Sequence, residues 1–87
     1  MRSTLKKEFK EYLEDYPEEI RKSKGLTQQQ MSEHLCMDVR SYVDLEHKKS
    51  AFSLVSFALL LSELDDEKYD LIDDLMTIVK NVKDGGK

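Results

Sequence analysis

The chain has 87 residues, 14 Lys and Arg against 18 Asp and Glu, a net charge of −4 at neutral pH and a single cysteine. That length is one domain, one cysteine excludes an internal disulfide framework, and the longest apolar run, residues 54–61 broken by Ser56, is far too short to span a bilayer. With 39% hydrophobic and 37% charged residues, the composition suits thin helices with one buried stripe and a solvated back.

The periodicities predict five to six short helices and no strand, an all-α fold in a single domain over 1–87. Leu5, Phe9, Tyr12 and Leu13 recur at helical spacing across residues 3–15, with Ser3 or Thr4 as the expected N-cap. Pro17 suits the first turn of a second helix, where its missing N–H removes no bond. Glu18 and Glu19 lie at the positive end of that helix, Arg21, Lys22 and Lys24 at the negative end, and Gly25 stops it. Thr27 is the expected N-cap of a helix to about residue 35, with Leu26 stapled in front of it. Asp38 caps the next, over about 39–47, with Tyr42 and Leu45 facing the core. Ser50 or Ser53 opens a fourth pattern over 52–63, apolar over more than half its girth, and expected to be the most buried helix. A final helix over 66–82 starts on an acidic turn. Leu71, Leu75, Ile78 and Val82 form its stripe, which Ile72, Met76 and Val79 widen. That stripe packs either on the 52–63 helix or on a second copy of the chain. Residues 81–87 are expected to fray.

Residues 26–46 are the informative part. A two-turn helix, a three-residue joint and a second short helix have the spacing of a helix-turn-helix, whose second helix enters the major groove by its N-terminal side chains. The run Ile20-Arg21-Lys22-Ser23-Lys24-Gly25-Leu26-Thr27-Gln28-Gln29-Gln30-Met31-Ser32, with Ser41-Tyr42-Val43-Asp44-Leu45-Glu46-His47-Lys48-Lys49-Ser50 after it, resembles the XRE-type (Cro/cI-like) helix-turn-helix transcriptional regulators. The resemblance covers about residues 18–64. The helix at 3–15 and the acidic helix at 66–82 lie outside it.

The resemblance implies a lambda-repressor-like fold that binds double-stranded DNA as a transcriptional regulator; the single cysteine and short apolar run make the cytoplasm the default location, and no catalysis, cofactor, metal or membrane association is expected. By position, Gln28 matches a glutamine that bonds phosphate. Val39, Arg40, Ser41 and Asp44 lie on the reading helix, and Arg40 suits guanine best. Lys48, Lys49 and Ser50 match a loop that meets the sugar-phosphate chain. Glu46 matches a structural glutamate. A homodimer through Leu71, Leu75, Ile78 and Val82 would set two reading helices about 34 Å apart. Cys36 and Lys48 stand where the family has glycine, and Phe52 where it often has proline. A left-handed residue other than glycine costs about 1–2 kcal/mol, so at Cys36 the joint either differs or carries that strain.

Charge distribution opens a second reading. Residues 1–24 balance to +1, residues 25–50 to −1 and residues 51–87 to −4. The net acidity and Asp44 fit a protein-interaction module on the same fold, an antirepressor or antitoxin. His34, Cys36 and His47 lack the paired spacing of a zinc site and a third, orienting group for a Cys–His nucleophile. The carboxylates of residues 65–74 lack the calcium-loop pattern. Residues 1–10 have no apolar run ahead of a cleavage site, so no signal peptide is read there.

Overall fold

The structure is a computed structural model and describes residues 1–85. Those residues form six α-helices and no strand: α1 (Arg2–Leu13), α2 (Tyr16–Ser23), α3 (Gln28–His34), α4 (Val39–Glu46), α5 (Leu54–Ser62) and α6 (Glu67–Gly85). No helix among them is long and apolar enough to cross a membrane.

Helix starts follow side-chain chemistry. Thr27 accepts from the Gln30 backbone N–H at 3.1 Å, and Gln30 Oε1 accepts from the Thr27 N–H at 2.9 Å, a reciprocal capping box. Asp38 accepts from the Ser41 N–H at 2.8 Å, and Ser53 from the Ser56 N–H at 3.1 Å. Pro17 occupies the first turn of α2. The first helix departs from expectation. It begins at Arg2 rather than at Ser3 or Thr4, and no side chain caps it.

Helices α2, α3 and α4 end in the same way. Each is followed by a residue with positive φ: Gly25 at 68°, Cys36 at 54° and Lys48 at 63°. Behind Gly25, its N–H bonds the Lys22 carbonyl at 3.1 Å and the Leu26 N–H bonds Arg21 at 3.0 Å. The pattern repeats with Cys36 to Glu33 and Met37 to Ser32, and again with Lys48 to Leu45 and Lys49 to Asp44. These are Schellman closures, which use a left-handed residue to satisfy the last free carbonyls. So the joint after α3 keeps its tight geometry, and Cys36 carries the strain.

The core gathers Leu13 of α1, Ile20 of α2, Met31 of α3, Leu35, Tyr42 of α4, Leu60 of α5, Leu64, and Leu71 and Leu75 of α6. Two expectations are corrected here. Helix α5 is not the most buried. Of its side chains only Leu60 is buried, while Leu54 is 83% and Val55 69% exposed. A helix apolar over much of its girth needs neighbours on several sides, and at the start of α5 only Phe57 finds them, while Leu54 and Val55 face outward. The α6 stripe also does not await a partner. Leu71 and Leu75 are buried within this one chain, and Ile78 and Val82 are half-buried, so a dimer through those four residues has little free surface to use. The main neighbour of α6 is α1 rather than α5. Tyr12 of α1 donates its hydroxyl to Asp74 of α6, and burial, reinforced by that bond, pushes the Tyr12 hydroxyl pKa well above its ordinary value.

Helix α6 runs to Gly85, so residues 81–85 are helical where fraying was expected, and residues 86–87 lie outside the described residues. At the other end of the domain Glu63 holds two elements together. Its Oε1 lies 2.8 Å from His34 Nδ1 and 3.6 Å from Lys24 Nζ.

Candidate nucleic-acid interface

Helices α3 and α4 pack closely, joined by residues 35–38, and α4 turns its inner face to the core. Tyr42 and Leu45 are buried there, and so is Glu46, an ionisable side chain only 2% exposed. Such a charge needs partners, and three elements supply them. Arg21 of α2 donates from Nε to Glu46 Oε2 at 2.6 Å and from Nη2 to Oε1 at 3.2 Å. Gln28 of α3 donates from Nε2 to Oε1 at 3.1 Å. The Tyr42 hydroxyl lies between the Glu46 carboxylate and the Pro17 carbonyl oxygen, 3.1 Å from the latter, and shares its proton between them. Burial alone would push the Glu46 carboxyl up. The bonds from Arg21, Tyr42 and Gln28 together outweigh it and hold the group below the usual carboxylate range. Burial and the neighbouring carboxylate push the Tyr42 hydroxyl well above its ordinary value.

The outer face of α4 is different. Val39 and Arg40, at its start, are exposed, and Arg40 has no ion pair or side-chain hydrogen bond among the described residues. Ser41 is half-buried and donates its hydroxyl to Asp38 at 3.0 Å. Hydrogen bonds from the Ser41 backbone and hydroxyl, with one from the Arg40 backbone, hold the Asp38 carboxyl below its ordinary range. Asp44 is half-buried, whereas His47, Lys49 and Ser50 are exposed.

The residues singled out in the sequence therefore divide. Val39, Arg40, Lys49 and Ser50 stand open on the outside of α4 and in the turn after it. Gln28 is engaged inward by Glu46. Lys48 is exposed but tied back, with Nζ 3.3 Å from Asp15 and 3.8 Å from Glu14, and the bond to Asp15 raises its ammonium above the ordinary lysine range. Of the four expected phosphate-contact residues, Gln28 is thus engaged within the fold and Lys48 in a surface ion pair, while Lys49 and Ser50 are open.

Arg21 is the residue that sequence reasoning missed. It reads there as a helix-end charge, yet it is the main partner of Glu46 across 25 residues. No local pattern signals that pairing. Thr27, by contrast, is read as an N-cap from its place ahead of the helix, although its reciprocal bond with Gln30 is not. Compared with protein-family models, curated proteins and solved structures, the chain matches none.

Proposed function

We propose that this protein is a sequence-specific double-stranded DNA-binding transcriptional regulator that reads the major groove with the leading side chains of α4. The observation that carries the reading is Arg40, exposed beside Val39 at the start of a helix whose other face is fastened by Tyr42, Leu45 and Glu46. A free guanidinium on a rigid helix start is what bidentate guanine recognition requires. The resemblance of residues 18–64 to XRE-type regulators supports the same reading. Lys49, Ser50 and backbone N–H groups remain for phosphate.

A second reading draws on a specific observation. Gln28 and Lys48 are spent on Glu46, Asp15 and Glu14, which weakens the electrostatic anchor and favours a protein-interaction module of the antirepressor or antitoxin kind. The deciding experiment is selection of bound duplexes from a random pool, followed by anisotropy titration across salt concentrations. A DNA reader gives an enriched sequence and an affinity falling by about 0.9 log units per log salt for each phosphate neutralised. Absence of enrichment, with no binding even at low salt, overturns the regulator in favour of the interaction module.

A further inference from the structure

Between the helices lies an apolar hollow of about 760 Å³. Leu13 of α1, Leu45 of α4 and Leu75 of α6, all buried side chains, form its floor. Its walls are the half-buried rings of Phe9, Phe52 and Phe57, the last two meeting edge to face with centroids 6.3 Å apart. Four helices and the segment 50–53 thus line one space. Its volume lies in the range of small-molecule sites, about 300–1,000 Å³.

Among the described residues no buried side-chain nitrogen or oxygen lacks a partner, so the interior of the hollow asks for no polar group. The polar chemistry lies at the rim, and it is positive. Lys6 and Lys10, about one turn apart on α1, line the hollow and have no ion pair among the described residues, and Lys7 has only a loose pair with Glu11 at 4.0 Å. The carboxylate that lines the hollow, Glu14, already faces Lys48 at 3.8 Å. The chain as a whole carries −4, so this local excess of ammonium groups does not follow from composition. Lysine stems extend an apolar wall while their charged heads stay in water.

We propose that this hollow binds a free fatty carboxylate, its acyl chain over Leu13, Leu45 and Leu75 and its carboxylate at Lys6 and Lys10. Charge and polarity select that class. A sugar or nucleotide would press hydroxyls and amides against leucine and phenylalanine with nothing to bond, which is costly. An apolar cation would meet like charge at the rim. An acyl carboxylate gives the interior only methylenes and gives the rim the one charge it lacks. Because Leu45 belongs to α4, the occupant touches the helix that carries Arg40, yet the proposal stands whether or not the chain reads DNA.

The probe is decanoate below its critical micelle concentration, with decyltrimethylammonium as the same chain on the opposite charge. Titration calorimetry, without nucleic acid, is expected to give one site for decanoate. Octanoate is expected to bind about fifteenfold more weakly, from about fourfold per methylene, and the cation about tenfold more weakly. NMR shift changes are expected to centre on Phe9, Phe57 and Met76. K6E/K10E, at exposed positions, is expected to weaken decanoate by about tenfold and to strengthen the cation, with circular dichroism checking that the variant stays helical. The comparison of the two head groups on the wild-type chain needs no variant. Equal binding of both head groups, no dependence on chain length, or shifts centred elsewhere overturns the proposal. So does a failure of free decanoate to bind. In that case co-sedimentation with phosphatidylglycerol vesicles would assign the face to a membrane, and binding of an acidic amphipathic peptide would assign it to a partner protein.

Discussion

Arg21 and Glu46, 25 residues apart, meet as a fork against a carboxylate, with Nε to Oε2 at 2.6 Å and Nη2 to Oε1 at 3.2 Å. The pair joins α2 to α4, and Gln28 adds α3 to the same carboxylate. Breaking a buried pair by removing one partner leaves an uncompensated charge and costs about 3–5 kcal/mol. That is a large share of the stability of a small domain. Glu46→Ala is therefore expected to lower the urea midpoint sharply. A loss below about 1 kcal/mol would mean that the pair is far wetter than its burial indicates.

The same carboxylate sets an acid limb. Its folded pKa lies below its unfolded value, so its contribution is fully present above the unfolded carboxylate range, about 4.3. The contribution is lost as pH falls through the folded pKa. Urea unfolding followed between pH 7 and pH 3 is expected to weaken over the lower part of that range. Glu46→Gln, though less stable at neutral pH, is expected to have a flatter acid limb. An unchanged limb in the variant would assign it to the other carboxylates.

Cys36 is exposed and holds a left-handed conformation at φ 54°. Its side chain contributes no core packing, so Cys36→Gly removes strain at little packing cost. The expected gain is about 1 kcal/mol, within the 1–2 kcal/mol of left-handed strain. Cys36→Ala, which keeps a Cβ, is the control and should leave the thermal midpoint nearly unchanged. Equal midpoints for the two variants would show that backbone strain is not the relevant quantity.

Leu75 is buried between α6 and the rest of the core, and Val82 is half-buried near the end of the same helix. Leu75→Ala is expected to cost about 2–5 kcal/mol, and Val82→Ala distinctly less, because that side chain already meets water. Calorimetry on dilute samples checks both. Similar small losses would mean that α6 is loosely attached to α1.

On DNA, Arg40 and Lys49 are expected to behave differently. Arg40→Ala should relax discrimination at one base pair, by about 1–3 kcal/mol. Lys49→Ala should weaken all duplexes alike and reduce the salt slope by about 1. Competition titrations against selected and scrambled duplexes separate these effects. Equal, sequence-independent losses would remove Arg40 from base reading.

The helices were legible in the sequence to the extent that their signals are local. Thr27, Asp38 and Ser53 cap where their side chains can reach the third N–H, and Pro17 and Gly25 punctuate as their backbones require. The burial of α5 was misread because composition reports how apolar a helix is, not how many neighbours it finds. The helix that carries the exposed Leu54 and Val55 is for that reason expected to be the most buried. Gln28 and Lys48 were assigned to phosphate by position along the chain. Their real partners, Glu46 and Asp15, come from other turns of the fold, which spacing along a sequence does not encode.

The fastening of α4 from within has a consequence for how such a protein can diverge. Tyr42, Leu45 and Glu46 are the buried side chains of the helix, whereas Val39, Arg40 and His47 are exposed. Exchanging those three outward side chains leaves the buried network intact. New binding preferences are therefore open to this scaffold through a handful of surface changes, each almost neutral for folding.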